Sequence, residues 1–337
     1  MLVEVRAESL GTRPRHLMSL SYPGSGQGEY MRFRCLFAFA AIVPMPISAA
    51  EPLRLQPSSA WILDYGDDSC RLIRTFGEGN DKTTLVLESD APNQMDMLAT
   101  GKPLGNYNAG VSAKFLPVGD KAFEGRAALS TSGGDPAILW SNVFLVPNPL
   151  IENRVPQYEG HNMKPFVRPP AVSLAEQASY KVRRQQFAEK TTELEIQTRW
   201  KHAVVLETGS MGKPIGMFDK CSRDSLTDWG VDPNLEDQIV RPAWTLNSSK
   251  WFTSDDYPKA PATNAEESEV RFRLLVDASG KVTKCTSLSH FKNPEFNVAT
   301  CNAIMKRATL EPAELADGTK VPSYYTQRLQ FRVYYGH

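Results

Sequence analysis

The sequence predicts an α+β protein in which a β-rich N-terminal domain precedes a small C-terminal domain, an antiparallel sheet with one main helix packed on it. Three observations carry this. Prolines number 24 against 22 glycines in 337 residues, a balance that favours strands, turns and stiff connections over long helices. Between residues 55 and 146, short apolar stretches alternate with turn clusters. Toward the C-terminus the hydrophobic period changes in the order strand, strand, helix, strand, as it does where one helix covers one sheet.

The length leaves room for roughly two domains at about 150 residues each. Apolar residues make up 41% and charged residues 23%, which excludes a fully disordered chain and a polytopic membrane protein. Lys plus Arg and Asp plus Glu are both 38. Without a basic excess, nucleic acid is not an expected partner.

Residues 1–30 are polar and glycine-containing, and read as a gene-model extension or a disordered leader. Residues 31–50 have the layout of a secretory signal peptide. Arg32 and Arg34 precede an apolar run from Leu36 to Ile47, and Ser48-Ala49-Ala50 supplies small residues before Glu51. The run is shorter than the roughly 20 residues a membrane span takes, and Pro44 and Pro46 interrupt it. Cleavage is expected near Ala50, leaving no stable transmembrane anchor. Cys35 leaves with the leader; Cys70, Cys221, Cys285 and Cys301 remain. An even number in an exported chain points to disulfides.

Residues 51–250 read as a β-rich domain of no assignable family. Ala60–Leu63 and Thr84–Leu87 are strand-like stretches, and 77–81 and 132–135 are turn clusters. A Pro-rich connection spans 147–170. A helix is expected over 173–190, with Ser173 as N-cap and Glu176 three residues on. Leu194, Ile196, Trp200 and then Val204–Leu206 suggest another strand. Around Ser210, Thr208-Gly209-Ser210-Met211-Gly212-Lys213-Pro214 meets neither the G-x-S-x-G elbow nor the P-loop pattern. It reads as a turn into a helix with Pro214 in its first turn and with Met217, Phe218, Cys221 and Trp229 on the buried side.

A second connection covers 234–265. Val270, Phe272, Leu274 and Val276 then alternate with Arg271, Arg273 and Asp277, a half-buried strand. Asp277–Gly280 is a turn, and a second strand runs from about Lys281 to Ser289. Asn293-Pro294 starts a helix, with Val298, Cys301, Met305 and Ala308 on one side. Leu329, Phe331, Val333 and Tyr335 alternate with polar residues in a last strand.

These last residues resemble the TonB C-terminal domain over about 251–334. The resemblance is carried by Tyr257-Pro258, Val270 to Val276, Asp277-Ala278-Ser279-Gly280-Lys281-Val282, Phe296, Leu310-Glu311-Pro312-Ala313, Asp317-Gly318-Thr319-Lys320-Val321 and Leu329-Gln330-Phe331. It departs from the family at Ser287-Leu288-Ser289-His290, where Ser-Ser-Gly is common, and at Glu295-Phe296-Asn297, where a Leu-Asp pair often opens the helix. Cysteines on strand two and on the helix, with Cys221 upstream near Trp229-Gly230, are similar to an exported TonB-like subgroup. The resemblance implies a C-terminal domain over 251–337 in the periplasm, binding a protein or peptide of the cell envelope such as a TonB-dependent outer-membrane receptor.

In physical terms, a terminal strand offers unpaired N–H and C=O groups to an extended peptide. The candidate edge is Tyr325, Thr326, Gln327, Arg328, Leu329, Gln330, Phe331, Arg332 and Val333. The alternative is an edge blunted by Arg328 and Arg332. Within the C-terminal domain the placement of Cys285 on strand two and Cys301 on the helix pairs these two; elimination leaves Cys70 with Cys221. Because Val282 and Cys285 are three apart, they share a strand face only across a bulge.

No catalytic residues, cofactor or metal are expected: there is no C-x-x-C pair, and His161, His202 and His290 have no sequence relation to a nucleophile. Two further classes stand beside the binding module. One is a structural scaffold of the envelope; the other is a hydrolase in the N-terminal domain, with Ser210 its least implausible nucleophile.

Overall fold

The computed structural model describes residues 2–8, 51–105, 110–119, 121–130, 133–152, 158–159, 162–163, 168–198, 202–245, 248–288 and 293–334. The expected signal peptide, Trp200, His161, His290 and Tyr335 lie outside the described residues.

The strands before the first long helix are β1 (Leu2–Glu8), β2 (Leu53–Leu55), β3 (Ile62–Tyr65), β4 (Cys70–Phe76), β5 (Thr83–Ser89), β6 (Asp96–Thr100), β7 (Val111–Leu116), β8 (Phe123–Ser130) and β9 (Pro136–Trp140). The Pro-rich connection carries a single helical turn, α1 (Pro149–Glu152), and the short hairpin β10 (Tyr158–Glu159) and β11 (Asn162–Met163). Then follow α2 (Leu174–Lys190), β12 (Glu193–Gln197), β13 (Val204–Leu206), α3 (Gly212–Asp228), α4 (Pro233–Glu236) and β14 (Ile239–Arg241). The C-terminal part holds α5 (Lys259–Thr263), β15 (Ser268–Val276), β16 (Val282–Ser287), α6 (Pro294–Arg307), β17 (Ala313–Leu315), β18 (Lys320–Val321) and β19 (Ser323–Tyr334).

Among the described residues, ten strands form one sheet in the order β2-β13-β12-β7-β8-β9-β6-β5-β4-β3. Its strict period-2 burial is clearest in β5, where Thr83, Leu85, Leu87 and Ser89 are buried and the residues between them are not. The core enclosed here includes Leu72, Phe76, Leu85, Leu87, Phe115 and Trp140, with Ile215, Phe218 and Cys221 of α3 packed into it. The Ser173 hydroxyl caps α2 by accepting from the Glu176 N–H at 3.2 Å. On α3 the buried side holds Phe218 and Cys221 as expected, but Ile215 and Leu226 occupy it where Met217 and Trp229 were expected. A disulfide joins Cys70 of β4 to Cys221 of α3, with Cα atoms 6.1 Å apart.

The C-terminal sheet has the order β1-β19-β15-β16, antiparallel throughout. Val270, Phe272, Leu274 and Val276 of β15 join Leu329, Phe331 and Val333 of β19 in a second core, closed by Phe296, Ala303 and Ile304 of α6. Trp251, Phe252 and Tyr257, upstream of β15, belong to the same core. Tyr257 packs edge-on to Phe331 with ring centroids 5.3 Å apart. A small third sheet, β14-β17-β18, ties the second connection to this part of the chain.

The helix face differs from the expectation. Val298 and Met305 are 59% and 50% exposed; α6 buries Phe296, Thr300, Ala303 and Ile304 instead. Phe296 decides this: the largest apolar side chain of the helix turns to the sheet, and the stripe through Val298 and Met305 rotates outward. Cys301 is thereby at the border of the buried face, where it bonds Cys285 of β16 with Cα atoms 5.6 Å apart. The bulge that Cys285 needs is present: Val276 pairs with Val282 and Leu275 with Lys284, so Thr283 is the extra residue. The turn before it depends on Gly280, whose φ is +87° and whose Cβ, if it had one, would lie 1.9 Å from the Leu310 carbonyl oxygen.

Candidate peptide-binding edge

The last strand is the longest of the C-terminal sheet, and its two sides differ. Toward β15 it runs in unbroken register from Ser323↔Val276 to Phe331↔Ser268. Past the end of β15, the Val333 N–H donates to the Glu267 carboxylate at 3.0 Å. The N–H of Val333 therefore points to the β15 side. In an antiparallel strand backbone groups alternate in direction, so Arg332, Gln330, Arg328 and Thr326 turn their N–H and C=O groups outward.

That outward side was expected to be an open edge. In the structure it is occupied over part of its length. Residues 2–8 pair antiparallel with it, from Leu2↔Tyr334 to Glu8↔Arg328. Of the candidate edge residues, Arg328, Leu329, Gln330, Phe331, Arg332 and Val333 lie in this pairing, and Tyr325, Thr326 and Gln327 lie beyond it. The physical reason is the one that made the edge a candidate: unpaired backbone groups pair with whatever extended segment reaches them. Among the described residues the opposite edge, the outer side of β16, has no cross-strand partner.

The face of the sheet turned away from α6 is not a solvated face. Arg271 of β15 and Arg328 of β19 are cross-strand neighbours, a placement that repels unless anions separate the charges. Three carboxylates of the β-rich region do so. Arg271 contacts Glu88 at 2.9 Å, Asp90 at 2.8 Å and Asp96 at 2.7 Å. Arg328 pairs with Asp96 and, at 2.9 Å, with Glu269 of its own sheet. Arg273, 3% exposed, bonds Asp68 at 3.0 Å and the carbonyls of Asp68 and Asp90 at 3.1 Å. Its guanidinium lies 3.5 Å from the Trp229 ring centroid, which accounts for the position of Trp229 off the α3 core.

Electrostatics within this cluster is uneven. Burial pushes the Asp90 carboxyl up to about 7 against the pull of Arg271, with Asp96 and Glu88 adding to the rise. Asp90 Oδ1 is buried and has no hydrogen-bond partner among the described residues. Burial would raise Asp96 too, but Arg328 and Arg271 hold it below the ordinary carboxylate value. Burial disfavours the charge on Arg271, yet Asp90, Asp96 and Glu88 raise its pKa above the ordinary value.

The other residues singled out from sequence do not converge. Ser210 donates to the Glu189 carbonyl at 2.9 Å and accepts weakly from the Gly212 N–H at 3.5 Å, which makes it part of the turn into α3. Among the described residues no three His, Cys, Asp or Glu side chains form a group that could hold a metal ion, and no helix is long and apolar enough to cross a membrane. The interdomain arginine cluster was not anticipated. Its only sequence signal is the set Arg271, Arg273 and Arg328 at the polar positions of otherwise apolar strands.

Residues 254–333 match the family model described as Gram-negative bacterial TonB protein C-terminal. No curated protein and no solved structure matches the chain.

Proposed function

We propose that this chain is an exported periplasmic protein associated with envelope transport, and that its C-terminal domain, residues 251–337, binds an extended segment of a partner protein along the outer side of β19. The observation that carries the reading is that β19, inside the stretch matching the TonB C-terminal family, already accepts a strand over seven residues on that side. The signal-peptide layout of residues 31–50 and the pairing of four cysteines into two disulfides support an oxidising compartment. The partner class is an outer-membrane receptor of the TonB-dependent type. The β-rich region, residues 51–250, serves as a rigid support: its carboxylates grip Arg271, Arg273 and Arg328 and leave the edges of the C-terminal sheet as its contact positions.

The reading is tested by titrating the protein with peptides taken from the periplasm-facing segments of such receptors, against an Arg332→Pro variant. The Arg332 N–H points outward, so proline removes an edge donor without touching the β15 ladder. Binding that is lost in the variant, with the amides of β15 exchanging as slowly as in the parent, supports the reading. Equal binding by both proteins rejects the β19 edge as the contact.

A further inference from the structure

We propose that the β-rich region holds a ligand site of its own, a cleft at the join of its ten-stranded sheet that takes a small zwitterion of dipeptide size, the ligand's carboxylate on Arg74 and its ammonium group on Glu193 and Glu207.

The cleft arises where one stretch of chain links the two end regions of the sheet. β2 pairs in parallel with β13, and the residues after it cross to β4, where Pro57 bridges Phe76. The Ser58 N–H donates to the Thr75 carbonyl at 2.9 Å, and the Gly77 N–H to the Gln56 carbonyl at 2.8 Å. The mouth of a sheet closed on itself is a common place for a ligand. Here a cleft of about 310 Å³ opens, and its lining includes Gln56, Arg74, Thr192, Glu193, Glu207 and Thr208. That volume is at the lower end of the roughly 300–1,000 Å³ of small-molecule sites. No residue of the C-terminal sheet lines it.

The lining is divided in charge. Arg74 of β4 donates through Nε to the Ser59 carbonyl at 2.9 Å and through Nη1 to the Thr208 carbonyl at 2.7 Å. Both acceptors are neutral, and among the described residues no carboxylate pairs with Arg74. Burial holds its pKa below the ordinary arginine value. The rings of Trp61 and Phe76 lie 5.4 Å and 5.8 Å from the guanidinium. These contacts fix the group in place without a counter-ion. Elsewhere on the lining, Glu193 and Glu207 share a single cation, Arg54, at 2.5 Å and 2.8 Å, and Gln56 also donates to Glu207. Two carboxylates on one guanidinium leave one negative charge unmatched. The Gly209 N–H donates to the Thr192 carbonyl at 3.0 Å, which ties together the segments carrying the two glutamates.

The cleft therefore presents one unmatched cation and one unmatched anion. A simple anion or cation would satisfy one and leave the other, whereas a zwitterion satisfies both. Arg74 makes no direct ion pair with Glu193 or Glu207, so the ligand has a gap to bridge. A second residue adds about 3.3–3.6 Å of reach, which favours a dipeptide over a single amino acid.

The test titrates the full chain with alanylalanine, its N-acetyl derivative and its C-terminal amide, read by calorimetry and by the amide shifts of Thr192, Thr208 and Gly209. Alanylalanine should move these three amides. Each blocked derivative should bind about tenfold more weakly, having lost one charge-assisted contact. Arg74→Gln should lose the preference over the amide and keep that over the N-acetyl derivative; Glu193→Gln should do the opposite. Equal binding of the three compounds by the parent chain overturns the proposal and requires no variant to fold. No shift at about 10 mM alanylalanine, enough to fill a millimolar site, overturns it as well, as do variants that rank the compounds as the parent does.

Discussion

Asp90 is the point at which the ionic contact between the β-rich region and the C-terminal sheet should respond to pH. Its carboxyl is buried, one oxygen is 2.8 Å from Arg271, and the other has no partner among the described residues. In the folded chain it titrates at about 7, against an ordinary value of 3.8. The fold therefore favours the protonated form. Below pH 3.8 both states hold the proton and the group costs nothing. As pH rises the unfolded chain ionises first, so stability falls until the folded carboxyl also ionises near pH 7, and is level above it. The gap between the two values corresponds to about 4 kcal/mol, of which about 3 kcal/mol is lost between pH 5 and pH 8. Asp90→Asn keeps the shape and removes the titration. Urea unfolding of both proteins at pH 5 and pH 8 isolates the effect, because the other carboxylates titrate in both. The variant should gain about 3 kcal/mol on the parent between the two pH values. A stability difference that is the same at pH 5 and pH 8 would refute the reasoning, since Asp90 would then be ionised throughout.

Further outcomes follow from the same contacts. Arg271→Met strips Glu88, Asp90 and Asp96 of their shared cation and should destabilise by about 3–5 kcal/mol in urea unfolding at pH 8, with a smaller loss at pH 5, where Asp90 carries its proton. Gly280→Ala forces a side chain onto a positive φ and against the Leu310 carbonyl; a loss of at least about 1–3 kcal/mol is expected in thermal unfolding. Replacing Cys70 and Cys221 by serine opens a loop of 151 residues and should cost about 5 kcal/mol, against about 3 kcal/mol for the 16-residue loop of Cys285 and Cys301. Calorimetry of the two double variants checks the order, and a larger loss from the shorter loop would contradict it.

What the sequence made legible was whatever a single period could carry. Val270 to Val276 alternate cleanly, so β15 and its buried face were readable, as were the Ser173 cap of α2 and the Asn293-Pro294 start of α6. The same alternation misled at the arginines. Arg271, Arg273 and Arg328 occupy polar positions, and a strand pattern does not distinguish a face in water from a face set against carboxylates distant in sequence. Helix α6 failed for a related reason. Val298 and Met305 have helical spacing, but Phe296 has the larger area to bury and sets the rotation. The last strand was expected to end the sheet as an open edge, and the segment paired with it was not anticipated. Leu2 to Glu8 alternates apolar and charged residues, but it sits within a polar leader where a seven-residue strand is no stronger than chance without its partner.

The central claim is that β19 presents its outer backbone to an extended segment, and residue-level amide protection tests it most directly. The measurement is hydrogen exchange by NMR on the chain from Glu51 onward, with and without a receptor-derived peptide. The peptide should slow exchange at Arg328, Gln330 and Arg332, alternate residues on one side of one strand, and leave Leu329 and Phe331 as they were. Protection that appears on β16, or on no strand of the C-terminal sheet, would contradict it.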